Sequence, residues 1–260
     1  MVYTLFKKIT LSLIASLILI IGAAAGCGTA PKDGETAQKT FNYAMSGQYK
    51  PFNFFSEKNE LTGFDVEIGM ALAEKMGMEP KPLATPWQGL ISGLKAEKYD
   101  AILGSMTITP ERQKEVDFSD PYYVSGPNIF VRGDSAIKGI QDIKKDTPVG
   151  VLISSVYDKE ARKYTDNVKN YTSDVTALQD LAKGRVEAVI TDRFVGKIAA
   201  GEQNLDIKAV GDLILVENIG IAFRQGDPLK DQVNKALKEI KEDGTYLAIS
   251  KKYFDTDISK

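Results

Sequence analysis

Histidine is absent from this 260-residue chain, and cysteine and tryptophan occur once each. Without imidazole there is no His-based acid/base catalysis and no His metal site. A lone cysteine, Cys27, cannot close an internal disulfide, and nothing folded is expected to precede it. No run of Lys and Arg resembles a nucleic-acid footprint, and the formal charge of the whole chain is only -2. Long apolar runs are missing too, except one near the start. The rest, 43% hydrophobic and 26% charged, has the balance of a globular protein.

Lys7 and Lys8 precede an apolar stretch from 9 to 25, which closes on Ala24-Ala25-Gly26 before Cys27. A charged start, an apolar middle and small residues at a cleavage point make an export signal, and the stretch is too short for a good membrane span. Residues 1–26 are therefore expected to be removed. The sequence at Cys27 resembles a lipoprotein signal, implying lipidation of Cys27 as the first mature residue, although Ala24 stands where leucine is usual. The expected location is the extracytoplasmic face of the cell membrane. Loss of residues 1–26 leaves 31 Lys plus Arg against 35 Asp plus Glu, a charge of -4. Residues 27–39, with Pro31, Gly34 and no apolar period, form an expected flexible tether.

Beyond the tether, short apolar strands alternate with amphipathic helices, an α/β pattern. A strand is expected over 40–45 and a helix from about 66 to Gly77 with Val66, Met70, Ala73 and Met76 on its apolar face. Others are expected over 88–96, 156–164 and 174–182, and a long one carries Leu229, Val233, Ala236, Leu237 and Ile240. Residues 93–102 and 180–189 share a plan: helix, basic turn, acid-Ala-apolar strand, loop. This weak repetition suggests two lobes.

The stretch 101–126 carries the chemistry. An apolar strand stops at Gly104, Ser105 and Thr107 follow, and Thr109-Pro110-Glu111-Arg112 is an N-cap, a proline at the first helical position and an arginine in the first turn. A guanidinium beside hydroxyls and free N–H groups suits a small carboxylate; the plainer alternative is a surface helix start with Arg112 in water. In the second half, Ser154-Ser155-Val156 repeats the arrangement, with Ser155 either a ligand contact or an ordinary N-cap. Asp192 ends another strand, where it either meets a cation or caps the next helix.

Taken in order, Tyr49-Lys50-Pro51-Phe52, Gly63-Phe64-Asp65-Val66-Glu67, Thr107 to Arg112, Asp117-Phe118-Ser119-Asp120, Asp192 and the end from Asp243-Gly244-Thr245 to Tyr253-Phe254 resemble the polar amino-acid family of type II periplasmic solute-binding proteins, which serve ABC importers. The resemblance spans nearly the whole mature chain. It implies a bilobal fold of two mixed-sheet lobes joined by a two-strand hinge, with 40–126 and 217–260 as a discontinuous first lobe and 127–216 as the second. It implies that Tyr49 and Trp87 flank an amino acid, that Arg112 with Ser105, Thr107, Ser155 and Val156 holds its carboxylate, and that Asp192 meets its ammonium. Tyr49 and Trp87 have core packing as their alternative. Val156 departs from the glycine or threonine common there.

The implied partners are a free amino acid, the transmembrane subunits of an ABC permease and the membrane through Cys27, with a monomeric receptor, no cofactor, no metal and no catalytic residue. Relatives selective for basic amino acids often carry an acid at the position of Ser46, so a polar or cystine-like ligand is favoured; Glu217 falls at the hinge and is taken as structural. Two other classes stay open: a dehydratase-like enzyme on the same bilobal fold, since Asp and Glu are available for acid chemistry, and an extracellular amino-acid-sensing subunit.

Overall fold

A computed structural model of the chain describes residues 39–260. The export signal, Cys27 and the tether up to residue 38 lie outside the described residues. Two mixed sheets dominate. In the first, Glu79–Ala84, Thr40–Met45 and Ala101–Thr107 run parallel in that order, and Glu217–Phe223 joins antiparallel to Ala101–Thr107. Asp117–Phe118 and Tyr123–Ser125 both pair with Glu217–Phe223. In the second, Val168–Tyr171, Val149–Leu152 and Ala188–Asp192 are parallel, and Pro127–Arg132 and Ile207–Val210 complete it antiparallel to their neighbours. Each sheet therefore combines three parallel strands with an antiparallel strand, a bilobal α/β architecture.

The helices form where the apolar spacing demands them. Helix Leu229–Glu242 buries Val233, Ala236, Leu237 and Ile240 and presents the charged remainder to water. Helix Phe64–Lys75 has Asp65 and Glu67 in its first turn and Lys75 in its last, matching the helix dipole. Gly77, at φ +67°, follows its end. Phe64 is fully buried where the rings of Tyr122, Tyr123, Tyr246 and Phe254 meet, all within 6.1 Å centroid to centroid. Gly63 makes this possible: at φ +121° it leaves no room for a side chain against the Phe52 carbonyl.

The sheets are connected twice. Ser125 ends a strand of the first sheet and Pro127 begins one of the second, with only Gly126 between them. The chain returns through 211–216 to Glu217. These crossings touch, since Ile214 N–H donates to the Pro127 carbonyl at 3.0 Å and a Cβ on Gly126 would strike the Leu215 carbonyl. Among the described residues no helix is long and apolar enough to cross a membrane.

Candidate functional site

The carboxyl ends of the parallel strands in both sheets face one cavity of about 270 Å³, the position where open α/β sheets bind ligands. Strand Ala101–Thr107 delivers Gly104, Ser105 and Thr107 to it, and the turn after Val149–Leu152 delivers Leu152, Ser155, Val156 and Tyr157. Ser105 and Ser154 both have φ near +60° although neither is glycine. Each sheet thus bends its backbone sharply at the cavity edge, a conformation that surrounding contacts must enforce.

For Ser105 those contacts are visible. Its N–H donates to the Tyr122 hydroxyl at 3.1 Å and its own hydroxyl donates to Asp65 at 2.9 Å. Asp65, fully buried, also accepts from Tyr122 and from Asn53, both at 2.7 Å. Asn53 in turn accepts from Ser46 Oγ and Gly47 N–H at 2.9 Å. The Gly63-Phe64-Asp65 motif therefore anchors two parts of the wall, Ser46 and Ser105, to one carboxylate.

Arg112 is placed by the expected cap. Thr109 Oγ1 accepts the Arg112 N–H at 3.2 Å and Pro110 occupies the first helical position. Arg112 Nη1 donates to the Thr107 carbonyl at 2.8 Å and the guanidinium lies 5.3 Å from the Trp87 ring centroid. Nη2 and Nε have no protein acceptor among the described residues, and Arg112 lines the cavity. It is the only cation among the described lining residues. Tyr49 lines the cavity with its ring stacked on Phe52 at 5.4 Å.

Seven of the eight expected ligand-binding residues, Tyr49, Trp87, Ser105, Thr107, Arg112, Ser155 and Val156, thus come together on this wall. Their donors are distributed differently from expectation. Thr107 Oγ1 donates to Glu217 at 3.1 Å, and Ser155 N–H donates to the Leu152 carbonyl at 3.2 Å while its hydroxyl caps the Val156–Ala161 helix at Asp158. Val156 N–H has no acceptor among the described residues.

Asp192 is the exception. It does not border the cavity. Strand Ala188–Asp192 runs straight into helix Arg193–Glu202, so Asp192 is the N-cap: Oδ1 accepts from Phe194 and Val195 N–H, and Oδ2 from Ser125 Oγ. Its charge still reaches Tyr49, Tyr157 and Glu217.

Two acids outside the expected ligand contacts are prominent: Asp174, and Glu217, which the sequence reading takes as a structural hinge residue. Asp174, at the start of helix Asp174–Ala182, lines the cavity. Its signal was present in Thr172-Ser173-Asp174, a third instance of small polar residues between strand and helix. Glu217, 3% exposed, accepts from Thr107 in the first lobe and from Tyr157 in the second at 3.0 Å. Burial raises the carboxyl pKa of Asp174 and Asp192 to about 6 and that of Glu217 to about 7. Against one guanidinium the cavity and its surroundings carry four acids, Asp65, Asp174, Asp192 and Glu217. No group of three or more Cys, Asp or Glu among the described residues has the arrangement of a metal site.

Two lobes around a cleft of this composition define a solute receptor. Residues 41–256 match the bacterial extracellular solute-binding proteins, family 3, and the chain belongs to that family. It is 33% identical over 226 residues to the L-cystine-binding protein TcyJ of Escherichia coli (strain K12), covering 85% of each chain. Identity to the arginine-binding extracellular protein ArtP of Bacillus subtilis (strain 168) is 35% over 258 residues, 95% of this chain and 98% of that protein. Among solved structures, an ancestral arginine-binding protein bound to glutamine superposes with TM-score 0.79 at 36% identity, covering 84% of this chain and 98% of that one. Members of the family are transport substrate-binding proteins rather than enzymes, and they act outside the cytoplasm.

Proposed function

We propose that this receptor captures a free L-amino acid by closure of its two lobes and delivers it to an ABC permease, with a cystine-like ligand favoured. The observation that carries the reading is Arg112: a guanidinium stacked by Trp87, braced by the Thr107 carbonyl, with its remaining N–H groups free toward the cavity. That is the chemistry of a carboxylate clamp. The Val156 N–H, at a helix start on the opposite lobe, adds a donor only when the lobes are together. The field of Glu217 falls beside Arg112 and that of Asp192 reaches Tyr49, Tyr157 and Glu217, and together they offset an α-ammonium. A ligand that binds both walls favours the closed state by its extra contacts there.

The cystine preference draws on the named E. coli relative and on Ser46, a neutral hydroxyl already donated to Asn53. The cavity of about 270 Å³ has room for one amino acid or a small disulfide-linked pair. Export, lipid attachment at Cys27 and a monomeric state belong to the same proposal. The test is native mass spectrometry of protein purified without refolding, followed by calorimetry with cystine, arginine, glutamine and glutamate. Tight, reversible cystine binding is expected; a protein that binds no amino acid in the panel refutes the reading.

A further inference from the structure

Asp174 is the only acid among the described lining residues. It is 1% exposed, and its two oxygens have different surroundings. Oδ1 accepts the fully buried Thr191 hydroxyl at 2.6 Å, which fixes the carboxylate plane. Oδ2 accepts from no other residue among those described and is not sealed in protein, so it opens on the cavity. Thr172 and Ser173 flank it on the wall, and their hydroxyls make no protein hydrogen bond among the described residues; Ser173 stands at the helix N-cap without using its side chain there.

Arg112 and Asp174 line one cavity but are held by different lobes, Arg112 by the Thr107 carbonyl and Asp174 by Thr191, and no ion pair joins them among the described residues. The acid beside the clamp is Glu217, which accepts the Thr107 hydroxyl at 3.1 Å while Arg112 donates to the Thr107 carbonyl at 2.8 Å. The α-carboxylate and α-ammonium of an amino acid hang on one carbon. An acid that meets the α-ammonium must therefore lie next to the clamp that holds the α-carboxylate, and Glu217 takes that place.

We propose that Asp174 is a specificity-determining residue that receives a cationic group, ammonium or guanidinium, at the far end of the ligand's side chain. The inference rests on the amino-acid reading above and extends it. A buried carboxylate with one open oxygen is costly until a cation pairs with it. The distal half of cystine fits in full, its ammonium on Asp174 and its second carboxylate on the Thr172 and Ser173 hydroxyls. An arginine side chain uses the acid alone.

Calorimetry at pH 7.5 with L-cystine and L-arginine, each beside a counterpart lacking the distal cation (S-methyl-L-cysteine and L-citrulline), tests this. Wild-type protein should bind at least one ligand with the distal cation 30-fold or more tighter than its counterpart; a cystine preference identifies a distal amino-acid end, an arginine preference a guanidinium. Asp174→Asn keeps the shape and the acceptor for Thr191. It should weaken the preferred ligand by about 10- to 100-fold while the counterpart without the distal cation stays within threefold. Equal loss for both ligands, or no loss for either, overturns the assignment. If thermal melts show that Asp174→Asn does not fold, Asp174→Ser is measured against the same criteria. A wild-type protein that binds glutamine or glutamate but none of the four probes overturns the Asp174 assignment alone, whereas one that binds none of these six ends the amino-acid reading as well.

Discussion

Replacement of Arg112 by alanine isolates the carboxylate clamp. In the folded protein without ligand the change removes one hydrogen bond, to the Thr107 carbonyl, and one cation–π contact, to Trp87. These contribute about 1 kcal/mol each, and relief of a desolvated charge offsets part of the loss. For a domain of this size Tm should therefore fall by less than about 5 °C. In the complex the loss is larger, because the ligand carboxylate is left in a closed cavity without another lining cation. Truncating one partner of a buried, hydrogen-bonded charge pair costs about 2–5 kcal/mol, which at about 1.4 kcal/mol per tenfold weakens Kd by roughly 30- to 4,000-fold. Arg112→Lys restores the charge but not the two-pronged geometry, so it should recover only part of the affinity. Calorimetry with the ligand found by native mass spectrometry measures Kd, and a thermal melt without ligand measures Tm. A Kd for Arg112→Ala within threefold of wild type, with the fold intact, removes the clamp from the argument.

Gly196→Ala should destabilise the second lobe by about 1–3 kcal/mol, because its Cβ would collide with the Phe130 ring in the core, and a urea melt reads the shift. Phe64→Ala should cost about 3–5 kcal/mol by emptying the aromatic centre of the first lobe, measured the same way. The folded carboxyl pKa values of Asp174, Asp192 and Glu217, about 6, 6 and 7, exceed the ordinary values near 4. The folded state thus holds more protons between pH 4 and 7, and ligand-free stability should fall as pH rises through that window, with Tm higher at pH 5 than at pH 7.5 by several degrees. Affinity for a ligand bearing cations should move the opposite way, weakening from pH 7.5 to pH 5 as these acids take up protons; calorimetry at the two values checks the sign.

How far the sequence reaches is visible in particular residues. The Thr109-Pro110 cap and the strand Thr40–Met45 follow from local chemistry and stand where local chemistry puts them. Strand Glu79–Ala84 escaped notice because Pro80 and Pro82 argue against a strand. It is admitted because it lies at the sheet edge, beside Thr40–Met45 alone, where missing N–H donors are harmless. Around the cavity, residue type indicated which side chains gather but not which hydrogen bonds they make. Whether Asp192 faces a ligand or caps a helix depends on whether a loop separates strand from helix, a difference of one or two residues in an element boundary.

Glu217 shows why such distinctions decide the chemistry. It begins the strand that follows the second crossing, so a structural role at the hinge is a sound reading of its position. Its carboxylate, however, accepts one hydroxyl from each lobe, Thr107 and Tyr157, and Thr107 is a residue that a ligand carboxylate would also use. A single hydroxyl proton cannot serve both at once. When a ligand arrives, Thr107 must either keep Glu217, leaving Arg112 and the Val156 N–H to hold the ligand carboxylate, or release it, leaving Glu217 tied to Tyr157 alone. Thr107→Val discriminates the two, measured in wild type and in a Glu217→Gln background. The amide oxygen still accepts a hydroxyl, but the negative charge beside Arg112 is gone. If Thr107 keeps Glu217, Thr107→Val should cost lobe stability and little affinity, in wild type and in Glu217→Gln alike. If Thr107 releases it, Thr107→Val should weaken binding about tenfold in both, one hydrogen bond to a charged group lost from the complex.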